Sequence, residues 1–191
     1  MPPVRKKKIK DLTHKELLEF FEWFDGKLLL QDLTASYTIL GGAALLMLGI
    51  ISRSTADIDL PAQKMEGLIH EAGQEFGIEI HTVTQCTTVD FAECPKEIVF
   101  EGKALQIFSI HPKELLKSKL ERYQKQDPQD IKDILSYSKL SYSEFEEIFS
   151  EMLKYWVGHP NRLIMHGRNV VERHFPENAK QFHSTFKLSY E

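Results

Sequence analysis

The chain has 191 residues, 42% apolar and 27% charged, which suits one folded domain, or one domain with a helical extension, around a real core. Lys and Arg number 24 against 28 Asp and Glu, a formal charge of −4, which argues against coating nucleic acid non-specifically but leaves room for a local basic groove. Two cysteines are too few for a disulfide scaffold, so free thiols in a reducing cytoplasm are expected.

The basic run Arg5, Lys6, Lys7, Lys8 and Lys10 is followed by polar residues, so it reads as a solvated tail or an RNA-contacting arm and not as a secretory signal. Thr13 and Glu16 have capping-box spacing, and Leu17, Phe20, Phe21, Phe24 and Leu28 follow at helical intervals. Tyr37–Leu40 reads as a buried strand that stops at Gly41-Gly42, with a helix over Ala43–Ile50. The apolar stretch from Ile39 to Ile51 holds Gly41, Gly42 and Gly49 and is shorter than the about 20 residues a bilayer needs, so no membrane span is expected. After the polar turn Arg53-Ser54-Thr55, Asp57-Ile58-Asp59-Leu60 alternates as a strand ended by Pro61. A helix over Lys64–Phe76 ends at Gly77, and Ile78–Val83 alternates again. Thr87–Phe91 reads as a short strand, and Ile98–Phe100 with Leu105–Ile110 as a hairpin around Glu101-Gly102-Lys103.

From Pro112 the period is helical. Leu115, Leu116, Leu120 and Tyr123 mark one helix. Asp127 as N-cap with Pro128 at the first helical position opens a second, and Ser141 with Glu144 a third. The class is α+β in front and helical behind, divided as 1–110 and 111–191, the second part completing the site.

Alternation puts Asp57 and Asp59 on one strand face, about 6–7 Å apart along the backbone, with Ile58 and Leu60 turned to the core. Two neighbouring carboxylates repel unless a cation lies between them, and hard oxygen donors on a rigid strand suit Mg²⁺ (or Mn²⁺). Gly41-Gly42 at a helix start let backbone amides approach a phosphate, with Arg53 beside Ser54 and Thr55 as a counter-charge for phosphate or pyrophosphate. Carboxylates, amides and arginine together describe nucleotidyl transfer. The histidines His159, His166 and His174 are too far apart in sequence to share a metal on one helix.

The stretches Leu40-Gly41-Gly42-Ala43-Ala44 and Arg53-Ser54-Thr55-Ala56-Asp57-Ile58-Asp59-Leu60 resemble the polymerase-beta-like nucleotidyltransferase superfamily, in its minimal nucleotidyltransferase and AbiE-type toxin branch. Pro112-x-x-Leu115-Leu116-x-x-Lys119-Leu120, followed by Asp127-Pro128-Gln129-Asp130-Ile131, is similar to that branch's helical motif. The resemblance implies a mixed sheet flanked by helices. It implies a nucleoside triphosphate donor and a hydroxyl acceptor on RNA (a tRNA end) or protein, with a cognate antitoxin where the system is a toxin–antitoxin or defence module. It further implies that Lys119 touches the triphosphate and that Asp130 orients Lys119 or acts as base. Gln126 stands where relatives often carry arginine. A third metal carboxylate is expected at Asp90, within Val89-Asp90-Phe91, with Glu79 as second choice because His81 shares its face. Two rivals remain: a catalytically weak nucleotide-binding or antitoxin-like module, and an RNase of the HEPN kind using Arg168 and His174.

Overall fold

A computed structural model describes residues 11–84 and 86–189; the basic run at Arg5–Lys10 lies outside the described residues. The chain forms two compact units, Met1–Gln85 with Glu93–His111, and Cys86–Ala92 with Pro112–Glu191.

In the first unit, α1 (His14–Leu30) starts in the expected capping box: Thr13 and Glu16 satisfy each other's backbone N–H groups. Its apolar face is aromatic. Phe20 meets Phe76 at 5.4 Å, Phe21 meets Phe100 at 5.7 Å, and Phe24 stacks on Tyr37 at 6.0 Å, so one helix ties together three separate elements. From the same helix Asp25 accepts the backbone N–H groups of Ala104 (2.7 Å) and Leu105 (2.8 Å), fixing where the hairpin ends.

Strand β1 (Ala35–Ile39) lies parallel to β5 (Leu105–Ile110), and β4 (Lys96–Glu101) runs antiparallel on the other side of β5. Strand β2 (Asp57–Pro61) pairs in parallel with β3 (Glu79–Val83). An antiparallel bridge, Leu40 N–H to the Asp59 carbonyl at 2.8 Å, links β2 to the residue that follows β1. The result is a small mixed sheet with α1, α2 (Gly41–Met47) and α3 (Glu66–Phe76) in the same unit. Helix α2 begins two residues earlier than the sequence reading, at Gly41 itself, and stops three residues earlier, at Met47. Helix α3 ends as expected on Gly77, whose φ of +89° is the left-handed C-cap conformation.

The second unit contains α4 (Pro112–Arg122), α5 (Asp127–Ser138), α6 (Tyr142–Tyr155), α7 (Pro160–His174) and α8 (Ala179–Thr185). Its core is a phenylalanine cluster in which Phe182 lies 5.1 Å from Phe149 and 4.6 Å from Phe186. The Ser141–Glu144 capping box forms as expected. The strand expected over Thr87–Phe91 does not form. Glu121 of α4 accepts the N–H groups of Thr87 (3.1 Å) and Thr88 (3.2 Å) and the Thr88 hydroxyl (2.8 Å), taking the first two backbone donors of the segment away from a strand partner. Among the described residues no helix is long and apolar enough to cross a membrane.

Candidate active site

The parallel register of β2 and β3 sets Asp57 opposite Glu79 and Asp59 opposite His81, with the buried pair Ile58 and Ile80 between them on the other face. Four polar side chains therefore share one side of a two-stranded ribbon. His81 Nδ1 lies 3.3 Å from Asp57 Oδ2, and its Nε2 lies 3.9 Å from Glu79 Oε1. Asp57, Asp59 and His81 each offer one ligand atom, all within 4.8 Å of one another. The two aspartates are half-buried and His81 is exposed. The face is open to small ions.

Gly41 carries a φ of +62°, and a Cβ on it would collide with Asp59 Oδ2. A Cβ on Gly42 would lie 2.5 Å from Thr55 Oγ1. The glycine pair thus seats the aspartate strand and the preceding turn against the start of α2, a role the sequence reading assigned to phosphate approach alone. Thr55 is buried, and its backbone N–H and carbonyl exchange bonds with Leu12 at 2.9 and 2.7 Å, which pins the Arg53-Ser54-Thr55 turn in place. Arg53 and Ser54 are half-buried, and Arg53 Nη1 donates to the Ser54 carbonyl at 3.1 Å.

In the second unit Lys119 donates to Asp130 at 2.7 Å and to Asp127 at 3.1 Å. All three are buried, with exposures of 4%, 0% and 0%, so neither Lys119 nor Asp130 lies on a solvated helix face. Asp127 is not the N-cap expected of it; Gln126 holds that position, and Asp127 is the first helical residue. Its carboxylate also accepts from Arg122 Nε (3.0 Å), Arg122 Nη2 (2.7 Å) and the Gln124 N–H (2.6 Å). Burial pushes the Asp127 carboxyl up, but the Arg122 hydrogen bonds, the Lys119 charge and the Gln124 N–H outweigh it and hold it below the usual carboxylate value.

A family model described as a nucleotidyltransferase of unknown function (DUF6036) matches residues 15–172, which span α1, the whole acidic ribbon and the buried Lys119 cluster. The chain belongs to this family. No curated protein and no solved structure matches it. In this member of a nucleotidyltransferase family the acidic ribbon offers a set of donors, two carboxylates and one imidazole, whose ligand atoms lie close enough together that they could hold a metal ion.

The remaining sequence candidates fall elsewhere. Asp90 belongs to the second compact unit and lies in a turn, where its Oδ1 accepts the Ala92 N–H at 3.0 Å, as an Asx turn does. Glu79 does stand on the ribbon face, opposite Asp57. His81 was noticed only as a neighbour of Glu79; the strand pairing, which is non-local, is what brings it to the aspartates. Arg168 of α7 donates to the Phe186 carbonyl at 3.0 Å, a contact that anchors the segment after α8. Of the spaced histidines, His159 caps α7 by accepting the Asn161 N–H at 3.3 Å, and His166 Nδ1 donates to the Leu120 carbonyl at 2.8 Å while stacking on Tyr123. Neither Cys86 nor Cys94 is in a disulfide, and burial with the nearby Glu121 carboxylate pushes Cys86 up to about 12, so it stays protonated at neutral pH.

Proposed function

We propose that the chain transfers a nucleoside monophosphate from a nucleoside triphosphate to a hydroxyl of RNA, such as a tRNA end, or of protein, using a divalent ion held at Asp57 and Asp59. The observation that carries this reading is the convergence of both aspartates on one open ribbon face in a member of a nucleotidyltransferase family. A cation, Mg²⁺ or Mn²⁺, held there would neutralise triphosphate oxygens and make pyrophosphate a better leaving group. Asp57 and Asp59 would hold it, Gly41 keeps the Asp59 carboxylate seated, and Arg53 supplies positive charge in the turn before β2. The acceptor oxygen forms a bond to the α-phosphorus as the bond to pyrophosphate breaks, and the hydroxyl proton passes to solvent. The toxin–antitoxin setting and a cognate antitoxin rest on the resemblance alone.

A second reading, a nucleotide-binding module with little turnover, is favoured by one specific observation: neither Asp90 nor Glu79 is among the three residues whose ligand atoms cluster. Incubation with each α-labelled nucleoside triphosphate, Mg²⁺ or Mn²⁺, and total cellular RNA and protein tests both. Label that becomes attached to RNA or to protein, and that is lost in the Asp57→Asn/Asp59→Asn double variant, supports transfer. Losing the charge that holds the ion removes several kcal/mol of transition-state stabilisation, at least about a hundredfold in rate. Saturable nucleotide binding with no label transferred supports the binding module. Label transfer undiminished in the double variant overturns the assignment of the site.

A further inference from the structure

We infer that His81 is the third ligand of the ion, oriented by Glu79, and that this donor set selects Mn²⁺ over Mg²⁺. The inference rests on the reading of Asp57 and Asp59 as metal ligands and adds the imidazole, its orienting carboxylate and the identity of the ion.

The two ring nitrogens of His81 face different groups. Nδ1 faces Asp57 Oδ2 at 3.3 Å, about the separation of two neighbouring donors on one ion with bonds near 2.1 Å. Nε2 faces Glu79 Oε1 at 3.9 Å. Metal-bound histidines almost always give their second ring N–H to a carboxylate or carbonyl, which fixes the tautomer and turns the first nitrogen's lone pair to the ion. At 3.9 Å Glu79 Oε1 is too far for that hydrogen bond as it stands, and a change of its side-chain rotamer would bring it into reach. The register explains their nearness: Glu79 and His81 are two residues apart on β3 and so lie on one face, while the aspartates occupy the matching rungs of β2. Glu79 is thereby a positioning residue and His81 the ligand.

The place of His81 is also fixed from the opposite face. A Cβ on Gly73 of α3 would lie 2.6 Å from Ile80 Cδ1, so the absence of a side chain there seats Ile80 against the helix. With Ile80 seated, His81 is held toward the aspartates.

The donor set decides the metal. Mg²⁺ prefers oxygen donors throughout and keeps several waters, whereas an imidazole suits first-row transition metals, and Mn²⁺ accepts nitrogen while keeping its preference for carboxylate and phosphate oxygen. Two carboxylates with one imidazole fit that middle position.

The test uses the full chain with its histidines ¹⁵N-labelled, titrated with Mn²⁺ alone and with Mn²⁺ plus a non-hydrolysable nucleoside triphosphate. Pulsed electron paramagnetic resonance then reads nitrogen bound directly to Mn²⁺, and the isotope separates imidazole from nucleobase nitrogen. The expected result is a ¹⁵N coupling that disappears in both His81→Ala and His81→Gln, with Mn²⁺ affinity lowered by at least about tenfold. Glu79→Gln keeps the coupling but weakens binding by about tenfold, the usual cost of losing an outer partner. Mg²⁺ displaces Mn²⁺ only in large excess from the wild-type chain, and more readily from His81→Ala. Saturable Mn²⁺ binding without ¹⁵N coupling overturns this inference and leaves a carboxylate-only site in place. Absence of saturable binding by either ion, with and without nucleotide, overturns the inference together with the reading it rests on.

Discussion

Two pairs of aspartates, Asp57 with Asp59 and Asp127 with Asp130, are built in opposite ways. The second pair is sealed from water, and Lys119 and Arg122 neutralise it through hydrogen bonds of 2.7–3.1 Å. The first pair is half-exposed on a ribbon, where His81 Nδ1 lies 3.3 Å from Asp57 Oδ2. Buried carboxylates need protein partners to exist as anions, whereas half-exposed ones are also solvated by water. The difference separates charge neutralised inside a unit from charge held at a half-exposed face.

Stability measurements break or sharpen this contrast most directly. Asp127→Ala leaves Lys119 buried beside a single remaining carboxylate and removes the hydrogen bonds that Arg122 makes to Asp127, and is expected to cost about 3–5 kcal/mol. Asp57→Asn removes one half of an exposed pairing and is expected to change stability by less than about 1 kcal/mol. Chemical denaturation of both variants reads the two numbers side by side. Comparable losses would erase the distinction.

A smaller effect is expected where the ribbon meets α2. Gly41 and Gly49 both have φ in the left-handed region, +62° and +71°, but only Gly41 faces a carboxylate, whereas a Cβ on Gly49 meets nothing within 4 Å. Each alanine substitution carries backbone strain of about 1–3 kcal/mol. Gly41→Ala should also push Asp59 out of place, so its Mn²⁺ affinity should fall while that of Gly49→Ala is unchanged. Calorimetric titration of the two variants isolates the seat from the strain; equal affinities would show that Asp59 does not depend on the glycine.

The smallest effect concerns pH. Burial lowers the His166 pKa, against a raising contribution from its bond to the Leu120 carbonyl, and burial likewise lowers that of His174, with Arg173 adding to it. The folded unit then binds fewer protons than the unfolded chain below about pH 6.5, the ordinary histidine value. Stability is present in full above that pH and falls as the pH drops through the folded values. The Asp127 contribution is lost only in more acid solution, below about 3.8. Denaturation midpoints measured between pH 7.5 and 5.5 should decrease, and His166→Gln should flatten the slope. An unchanged slope in that variant would assign the titration elsewhere.

What the sequence discloses follows the range of the interactions. Local patterns carry through: the Thr13–Glu16 box, the alternation that puts Asp57 and Asp59 on one face, and Gly77 as helix terminator are decided by neighbours within a few residues. Asp90 looked like a strand acid because its flanking residues are apolar, but Glu121, 33 residues past Thr88, takes the local backbone donors. Asp127 has the spacing of an N-cap, and only the helix pairing that brings Lys119 to it shows that it is a buried counter-ion. His81 needs the β2–β3 register before it means anything, and no pattern within β3 contains that register.

The seating of Ile80 on Gly73 has an evolutionary consequence. Positions 79 and 81 face away from the core, so point substitutions there can exchange the atoms offered to an ion while the fold is untouched. A single-residue insertion between Gly77 and β3 behaves differently. If Ile80 kept its seat, the connection would have to absorb the extra residue as a bulge. If the strand slipped by one residue, every donor on it would be traded at once for an isoleucine or its neighbour. Lineages carrying this ribbon can therefore change the side chains on its open face by substitution, whereas length changes at that turn should be rare.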